Sequence, residues 1–428
     1  MKVLVIGGGG REHAIIKTLK KSSRVKQVLA APGNGGIACD AQCVPIKAID
    51  ITAMTEYAFS NAIDYVVVAP DDPLSLGMVD ALEEKGIPCF GPRKNAARIE
   101  SSKVFSKNLM KKYNIPTAAY ETFSNADDAV HYVKSNSVSF PLVIKADGLA
   151  LGKGVIIAED QAQAIEAVKS IMNEKKFGES GSSIVIEEFL EGPEVTVLSF
   201  TDGKTIVPMI SSMDHKRVFD GNKGLNTGGM GVIAPNPHYT EEIAKVCMET
   251  IFLPTIKALA NEGCPFKGCL YFGLMLTKNG PKVIEYNCRF GDPETQAILP
   301  LLDTDLFEIM EAVTDGNLSS IDIKWSKDAC ACLVLASGGY PEKYRTGIDI
   351  TGLCEDGGIA VSQNGENKSV VYHAGTSKKN GAFQTAGGRV LGISLNAPAL
   401  KDALEGVYNA ALTVNFEGMH YRKDIGKY

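Results

Sequence analysis

The sequence predicts an α/β and α+β protein of several domains, on three observations. Short apolar runs alternate with helical stretches over roughly the first hundred residues, which indicates a doubly wound N-terminal domain. Strands and a glycine-rich turn around a helix follow, which predicts central domains with a mobile lid. Turn-rich strands closed by an amphipathic helix form about the last hundred residues, which predicts a small mixed C-terminal domain.

The boundaries follow from breaks in these patterns. We predict an N-terminal domain over 1–116, a lid subdomain over 117–194, a catalytic subdomain over 195–327 and a C-terminal domain over 328–428. The N-terminal pattern has strands at 3–6, 27–31, 65–69 and 88–90 and helices at 11–21 and 76–85. The lid has strands at 141–145, 154–158 and 183–187 around a helix at 162–172.

Composition excludes several classes of function. The 428 residues are 45% hydrophobic and carry a net charge of −6, which argues against a nucleic-acid partner. No run of about 18 apolar residues is present, so we expect no membrane span and a cytoplasmic protein. The ten cysteines lack the spacing of a structural zinc site and are expected to be reduced thiols.

Residues 283–296 concentrate the most chemistry. Side chains on a strand alternate between faces, so Glu285 and Asn287 are predicted to point the same way. A carboxylate and an amide oxygen suit Mg²⁺, which usually takes one or two protein ligands together with nucleotide phosphates. Arg289 would then lie at the metal edge as an anion clamp. The alternative is a strand end with ordinary surface charges.

Two glycine loops, residues 7–10 and 33–36, follow the first two predicted strands. Their backbone N–H groups could bind phosphate at one edge of the sheet, or the loops could be simple tight turns. The register of a dinucleotide fingerprint fails, because Glu12 and His13 occupy the third glycine position. A dehydrogenase linked to NAD is therefore the weaker interpretation.

Three further segments have the composition of binding loops. Residues 145–154 lack the spacing of a Walker A loop, but Lys145 and the glycines after it could still bind phosphates, or form a surface hairpin. Residues 186–194 form an acidic strand end, which on its own is usually a solvated turn. Residues 214–231 combine charge with glycine, which permits close approach of the backbone to a ligand.

The order of these segments resembles the nucleotide site of the ATP-grasp ligases, and the finer resemblance is to the phosphoribosylamine-glycine ligase family of purine biosynthesis. The matching motifs lie at 7–13, 214–217, 226–231, 289–296 and 420–426, so the resemblance spans essentially the whole chain. It implies ATP-dependent joining of glycine to 5-phosphoribosylamine through glycyl phosphate, by a monomer or weak homodimer. The alternatives are another ATP-grasp ligase or carboxylase, or a non-catalytic nucleotide-binding protein.

The resemblance also implies a role for each matching position. For ATP these are Lys103 and Lys145 on the phosphates, Gly152 and Gly154 in the lid, Glu187, Glu188 and Leu190 around adenine, and Glu194 on ribose. Glu285 and Asn287 would hold Mg²⁺, which Mn²⁺ could replace. Asp214, Arg289 and Gly291 would surround the glycine substrate and the forming acyl phosphate. The remaining substrate positions are Gly8, Gly9, Gly10, Gly33, Asn34, Asp71, Asp292 and Pro293.

The chain departs from the family pattern at Ile37, at Leu225 and within residues 69–74, and from the wider ATP-grasp pattern at Gly273. Asp71 stands where the family usually has Glu, which puts the contacts to phosphoribosylamine in doubt. Gly273 stands where many ATP-grasp enzymes have a third acidic metal ligand. Ile37 and Leu225 replace the usual threonine and proline. The metal shell is therefore expected to depend more on water and phosphate.

Overall fold

The structure is a computed structural model that describes residues 1–135, 137–149, 154–175, 178–360 and 369–427. Gly152 and most of the predicted lid tip lie outside these residues. The predicted fold class is confirmed: a parallel α/β domain is followed by antiparallel central sheets and a mixed C-terminal domain. Over the described residues, no helix has both the length and the apolar character needed to cross a bilayer.

The N-terminal domain is a parallel sheet of five strands in the order β3-β2-β1-β4-β5. The strands are β1 (Lys2–Gly7), β2 (Gln27–Pro32), β3 (Gln42–Cys43), β4 (Tyr65–Val68) and β5 (Cys89–Phe90). The helices are α1 (Gly10–Leu19), α2 (Ile51–Ser60), α3 (Asp71–Leu76), α4 (Met78–Glu84) and α5 (Lys94–Ser101). The strand order reverses beside β1, which is where open α/β sheets bind ligands. The helix predicted over 76–85 begins only at Met78, because Gly77, at φ 99°, ends α3.

The lid subdomain follows α6 (Lys103–Lys112) and has its own hydrophobic core. Its antiparallel sheet has the order β6-β9-β7-β8, with β6 (Tyr120–Phe123), β7 (Leu142–Ala146), β8 (Val155–Ala158) and β9 (Ile184–Glu188). Helices α7 (Ala126–Lys134) and α8 (Gln161–Met172) pack together against it. The elements predicted within 141–187 begin and end within one residue of the observed ones.

The predicted catalytic subdomain contains a second antiparallel sheet with the order β11-β10-β16-β17. Its strands are β10 (Glu194–Asp202), β11 (Ile206–Pro208), β16 (Lys267–Thr277) and β17 (Gly280–Asn287). Helices α9 (Glu241–Cys247) and α10 (Leu253–Asn261) are joined by a π-helical turn, and α11 (Glu294–Ile298) and α12 (Leu306–Asp315) follow β17. A separate hairpin, β13 (Arg217–Phe219) and β14 (Lys223–Asn226), precedes them in the chain.

The C-terminal sheet has the order β12-β15-β18-β23-β20. Its strands are β12 (Met213–Asp214), β15 (Gly231–Ala234), β18 (Ala329–Ala336), β20 (Val370–His373) and β23 (Arg389–Ala397). A smaller sheet of β19 (Asp349–Ile350), β22 (Ala382–Thr385) and β21 (Thr376–Lys379) lies beside it, and α13 (Leu400–Ala411) packs on β18 and β23. Because β12 is its edge strand, Asp214 is carried by the C-terminal sheet and not by the sheet of β10.

Candidate active site

A cleft of about 920 Å³ lies where the N-terminal domain, the lid sheet, the β10 sheet and the C-terminal sheet meet. Thirteen of the predicted site residues line it: Asp71, Lys103, Lys145, Gly154, Glu187, Glu188, Leu190, Glu194, Asp214, Glu285, Asn287, Arg289 and Asp292. They come from segments as far as 221 positions apart in the chain, from Asp71 to Asp292. The fold therefore brings most of the predicted nucleotide, metal and glycine positions into one cavity.

A β-bulge in β17 sets the direction of the two predicted metal ligands. Glu285 pairs with Gly273 and Val283 pairs with Leu274, so Ile284 is an extra residue between the two pairs. Val283 and Tyr286 both pack into the core, although they are three residues apart. Glu285 and Asn287 reach the cleft, as the sequence predicts, but through an interrupted strand.

Glu285 is ionised in a strongly positive environment. Burial would raise the pKa of its carboxyl group, but four cations hold that pKa below its usual value, in decreasing order Lys216, Lys145, Lys103 and Arg289. A carboxylate and an amide oxygen two residues apart are hard donors, and they fit a divalent cation that is shared with phosphates. Within the described residues, no group of three or more His, Cys, Asp and Glu side chains could hold a metal by itself.

Gly273 lies opposite Glu285, a predicted metal ligand, on β16. A Cβ atom at this position would lie 3.2 Å from Cγ of Glu285. A side chain at position 273 would therefore contact Glu285 directly. The departure noted in the sequence thus lies next to the predicted metal site.

The predicted phosphate lysines are both held by the protein. Lys103 donates to the carbonyl oxygen of Gly148 at 2.7 Å, and Lys145 donates to that of Ile284 at 3.1 Å. Burial lowers the pKa of Lys103, and Glu285 opposes that effect. Lys145 also pairs with Glu187 at 3.0 Å. Both ammonium groups are thereby fixed on the cleft wall.

The acidic side chains predicted to contact the nucleoside already have protein partners. The Glu187 carboxylate lies between Lys145 and Lys107, and Glu188 accepts from Lys282 at 2.7 Å and from the N–H of Ala119. The more exposed Glu194 pairs with Lys216 at 2.8 Å. The contact of Glu187 with adenine remains a prediction. Its two oxygens form ion pairs with the two lysines, but Oε1 accepts no hydrogen bond within the described residues.

Asp214 lies in the cleft among both carboxylates and cations. Burial, followed by the nearby carboxylate of Glu294, raises the pKa of Asp214 well above its usual value, while Lys216 and Arg389 act against this. Its Oδ1 atom is buried and, among the described residues, accepts no hydrogen bond. Arg389 pairs with Asp292 at 3.3 Å and donates to the Asp292 carbonyl at 2.7 Å. Oδ1 of Asp214 is therefore available to accept a hydrogen bond from a ligand in the cleft.

The sequence predicts Arg289 as an anion clamp, but its guanidinium group already has partners within the protein. Its Nη2 atom lies 3.1 Å from a carboxylate oxygen of Glu100 and 3.2 Å from Oδ1 of Asn287. Its Nε atom is buried without a hydrogen-bond partner in the described structure. Gly291 lies outside the cleft wall, where a Cβ atom would meet the Glu294 carboxylate at 2.4 Å. The absence of a side chain at Gly291 therefore leaves room for the Glu294 carboxylate.

The N-terminal glycine loops lie beside the cleft. Gly8, Gly9, Gly10, Gly33, Asn34 and Pro293 are not among the described residues that line it. The Asn34 side chain donates to the carbonyls of Gly8 and His373 and accepts from the N–H groups of Gly36 and Ile37. It therefore braces the loops against the C-terminal domain, and its role in binding substrate remains a prediction.

Sequence reasoning missed several cleft residues: Arg11, Glu100, Lys107, Lys216, Glu294 and Arg389. Lys107 could have been found, since it lies four residues after Lys103 on the same helix face. The neighbouring His215 adds no positive charge beside Lys216 at neutral pH, because burial lowers its pKa to about 4. No local pattern marks Arg389, which reaches the cleft from β23.

Comparisons with known proteins agree with this geometry. Three family models match the chain: the phosphoribosylglycinamide synthetase N domain over residues 1–100, the ATP-grasp (A) domain over 101–295 and the C domain over 330–428. A solved biotin carboxylase from Campylobacter jejuni shares the fold, with a TM-score of 0.75 at 16% identity over 98% of this chain and 92% of its own. The fold and the site thus define an ATP-grasp ligase, a class that uses ATP with a divalent metal.

Closer relatives identify the family. The chain is 47% identical to a phosphoribosylamine–glycine ligase of Caldanaerobacter subterraneus subsp. tengcongensis, over 99% of both chains. The solved phosphoribosylamine–glycine ligase of Thermotoga maritima is 33% identical, with a TM-score of 0.85 over 99% of this chain and all of its own. The chain belongs to the phosphoribosylglycinamide synthetase family, which confirms the resemblance seen in the sequence.

Proposed function

We propose that the protein joins glycine to 5-phosphoribosylamine in de novo purine biosynthesis, with ATP converted to ADP and phosphate. The observation that carries this proposal is the composition of the cleft. One part presents Lys103, Lys145 and Glu285, which suit a nucleotide and its metal, and the same cleft is also lined by the buried carboxyl group of Asp214. A single cavity could therefore hold a triphosphate and an amino acid side by side.

Asp214 is the proposed receptor for the ammonium group of glycine. Its buried Oδ1, which accepts no hydrogen bond within the described structure, and its raised pKa both indicate a carboxyl group that would gain stability from a cation. Arg289 lines the same cleft, so glycine bound through its ammonium group at Asp214 could direct its carboxylate toward Arg289. This arrangement would orient the nucleophile, which is the main contribution an enzyme makes to phosphoryl transfer.

The reaction then proceeds in two steps. An oxygen of the glycine carboxylate attacks the γ-phosphorus of ATP, the bond to the β-phosphate oxygen breaks, and ADP leaves with glycyl phosphate behind. The amino group of phosphoribosylamine attacks the acyl carbon, phosphate departs, and the nitrogen loses a proton. Lys103, Lys145 and Arg289 would stabilise the transferring phosphoryl group. The β7–β8 hairpin is the proposed lid that excludes water from the acyl phosphate.

Glu285 and Asn287 are the proposed ligands of Mg²⁺, which supplies charge neutralisation between the phosphates when bound, and Mn²⁺ is a proposed substitute. We further propose a cytoplasmic location and a monomer or weak homodimer. All ten cysteines are free thiols, which supports a reducing compartment. Light scattering after size exclusion would test the oligomeric state.

The decisive assay is release of ADP by the purified protein. We expect ADP only when ATP, Mg²⁺, glycine and freshly generated phosphoribosylamine are all present, together with formation of an amide of glycine. Omitting the amine or replacing glycine by alanine are the controls. Absence of ADP in the complete mixture would contradict the proposal, and ADP release with bicarbonate in place of glycine would favour a carboxylase.

A further inference from the structure

Lys107 is a buried cation at the cleft that no motif singled out. We propose that Lys107 is a positioning residue for the nucleotide, which fixes the Glu187 carboxylate and, through it, the ammonium group of Lys145. This inference rests on the nucleotide site of the proposed function. It is carried by the contacts of these three side chains.

Lys107 is tied to two other segments. It lies on α6 with 3% of its side chain exposed, and its Nζ atom is 2.9 Å from Oε2 of Glu187 on β9. The same ammonium group donates to the hydroxyl of Thr117 at 2.7 Å, and that hydroxyl donates to the carbonyl oxygen of Val283 on β17. Lys107 is therefore held between the lid sheet and the metal-bearing strand.

The other oxygen of Glu187 continues the chain of contacts. Oε1 lies 3.0 Å from Nζ of Lys145, whose side chain is 6% exposed, and Lys145 donates to the carbonyl oxygen of Ile284. Ile284 is the bulge residue directly before Glu285. The row Lys107, Glu187 and Lys145 thus ends next to the predicted metal ligand.

The charges of Lys107, Glu187 and Lys145 indicate what the second lysine contributes to phosphate binding. With two ammonium groups on one carboxylate, the row keeps a net positive charge that can face phosphates. Without Lys107, Glu187 would pair with Lys145 alone and cancel its charge. Burial lowers the pKa of Lys107 to about 8, while Glu187 favours the charged form, so Lys107 is protonated at pH 7.

The row also limits how the Glu187 carboxylate can turn. Oε2 lies 2.9 Å from the Lys107 ammonium group and Oε1 lies 3.0 Å from that of Lys145, although Oε1 accepts no hydrogen bond among the described residues. Replacing Lys107 would release one oxygen and let the carboxylate turn. Nucleotide binding would then weaken even though Lys107 itself need not touch the nucleotide.

The test is ADP affinity by calorimetry, with the Lys107→Met variant and Lys111→Met as the matched control. Lys111 is exposed on the same helix and lies 5.6 Å from the same Tyr120 ring as Lys107, but it lacks the contact with Glu187. We expect Lys107→Met to weaken ADP binding by a factor of about ten while KM for glycine changes less than about twofold, and Lys111→Met to match the wild type. Unchanged ADP affinity in Lys107→Met, or an equal change in both ligands, would overturn the positioning role.

A second pair of variants covers the case in which Lys107→Met does not fold. The double variant Lys107→Met/Glu187→Gln removes both partners of the Lys107–Glu187 ion pair, so neither is left buried without the other. It should bind ADP within about twofold of Glu187→Gln alone, because Lys107 has nothing to act through once the carboxylate is gone. A further loss in the double variant would contradict the inference. Wild-type protein that binds no ADP would contradict the proposed function instead.

Discussion

Replacing Glu285 by Gln should show whether this residue acts in metal binding or supports the fold of β17. The change keeps the size of the side chain and removes a charge that faces four cations in the cleft. A few kcal/mol of metal and phosphate stabilisation would be lost, so we expect turnover with Mg²⁺ to fall by a factor of about 10² to 10³.

Binding of ADP without metal should change in the opposite direction. When no cation lies between them, the Glu285 carboxylate repels the nucleotide phosphates. Two unit charges roughly 6 Å apart interact by about 3 kcal/mol at an effective dielectric constant of ~20, and the surrounding lysines cancel much of this repulsion. We therefore expect the Glu285→Gln variant to bind metal-free ADP about three to ten times more tightly than the wild type.

The assay is calorimetric titration with ADP in a chelator and in Mg²⁺, beside ADP release in the complete reaction. Glu262→Gln is the control, because that carboxylate pairs with Lys112 outside the cleft. If metal-free ADP affinity fell together with turnover, Glu285 would be supporting the fold of β17, and the reasoning from charge would be refuted.

Three further predictions concern the metal, the C-terminal segment and pH. Asn287→Leu should lower ADP release about a hundredfold, whereas Asn287→Asp, which keeps an oxygen donor, should retain far more activity. Arg422→Met should lower the free energy of unfolding by about 3 kcal/mol in urea titration, since this 1% exposed guanidinium pairs with Asp424 and its loss leaves a carboxylate uncompensated; a loss below about 1 kcal/mol would contradict this. Burial lowers the pKa of His215 and His373 to about 4, below the value near 6.5 of an unfolded chain, so the unfolded state takes up protons first as pH falls. Stability should therefore decline between about pH 6.5 and 4, by up to about 3 kcal/mol per histidine, and equal urea midpoints at pH 7 and pH 5 would argue against it.

The local elements were predictable where one pattern dominates. The lid strands and α8 were placed within one residue, because apolar runs bounded by turns and an amphipathic helix carry their signal in adjacent residues. The sequence analysis does not predict helix α3 (Asp71–Leu76). Acidic residues and proline suit the first turn of a helix, so Asp71, Asp72 and Pro73 carry a signal for it.

The partners of the site residues could not be predicted in the same way. Glu100 and Arg289 are 189 residues apart in the chain. Arg389, on β23 of the C-terminal sheet, pairs with Asp292, which follows β17. Such pairs depend on how the domains pack, which no spacing in the sequence encodes. The bulge at Ile284 is also a tertiary feature, because it is defined by the register of β17 against β16.

The charge balance around Glu285 explains how a site with two protein ligands could suffice. A third acidic side chain at position 273 would have to share the space of Glu285, where a Cβ atom already lies 3.2 Å from its Cγ. It would also cancel one of the cations available to the phosphates. With Gly273, the Glu285 carboxylate faces four cations, Lys216, Lys145, Lys103 and Arg289, and this local positive charge repels a free divalent cation and attracts a polyphosphate. Metal binding should therefore depend on nucleotide binding, because the phosphates supply both the missing ligands and the missing negative charge.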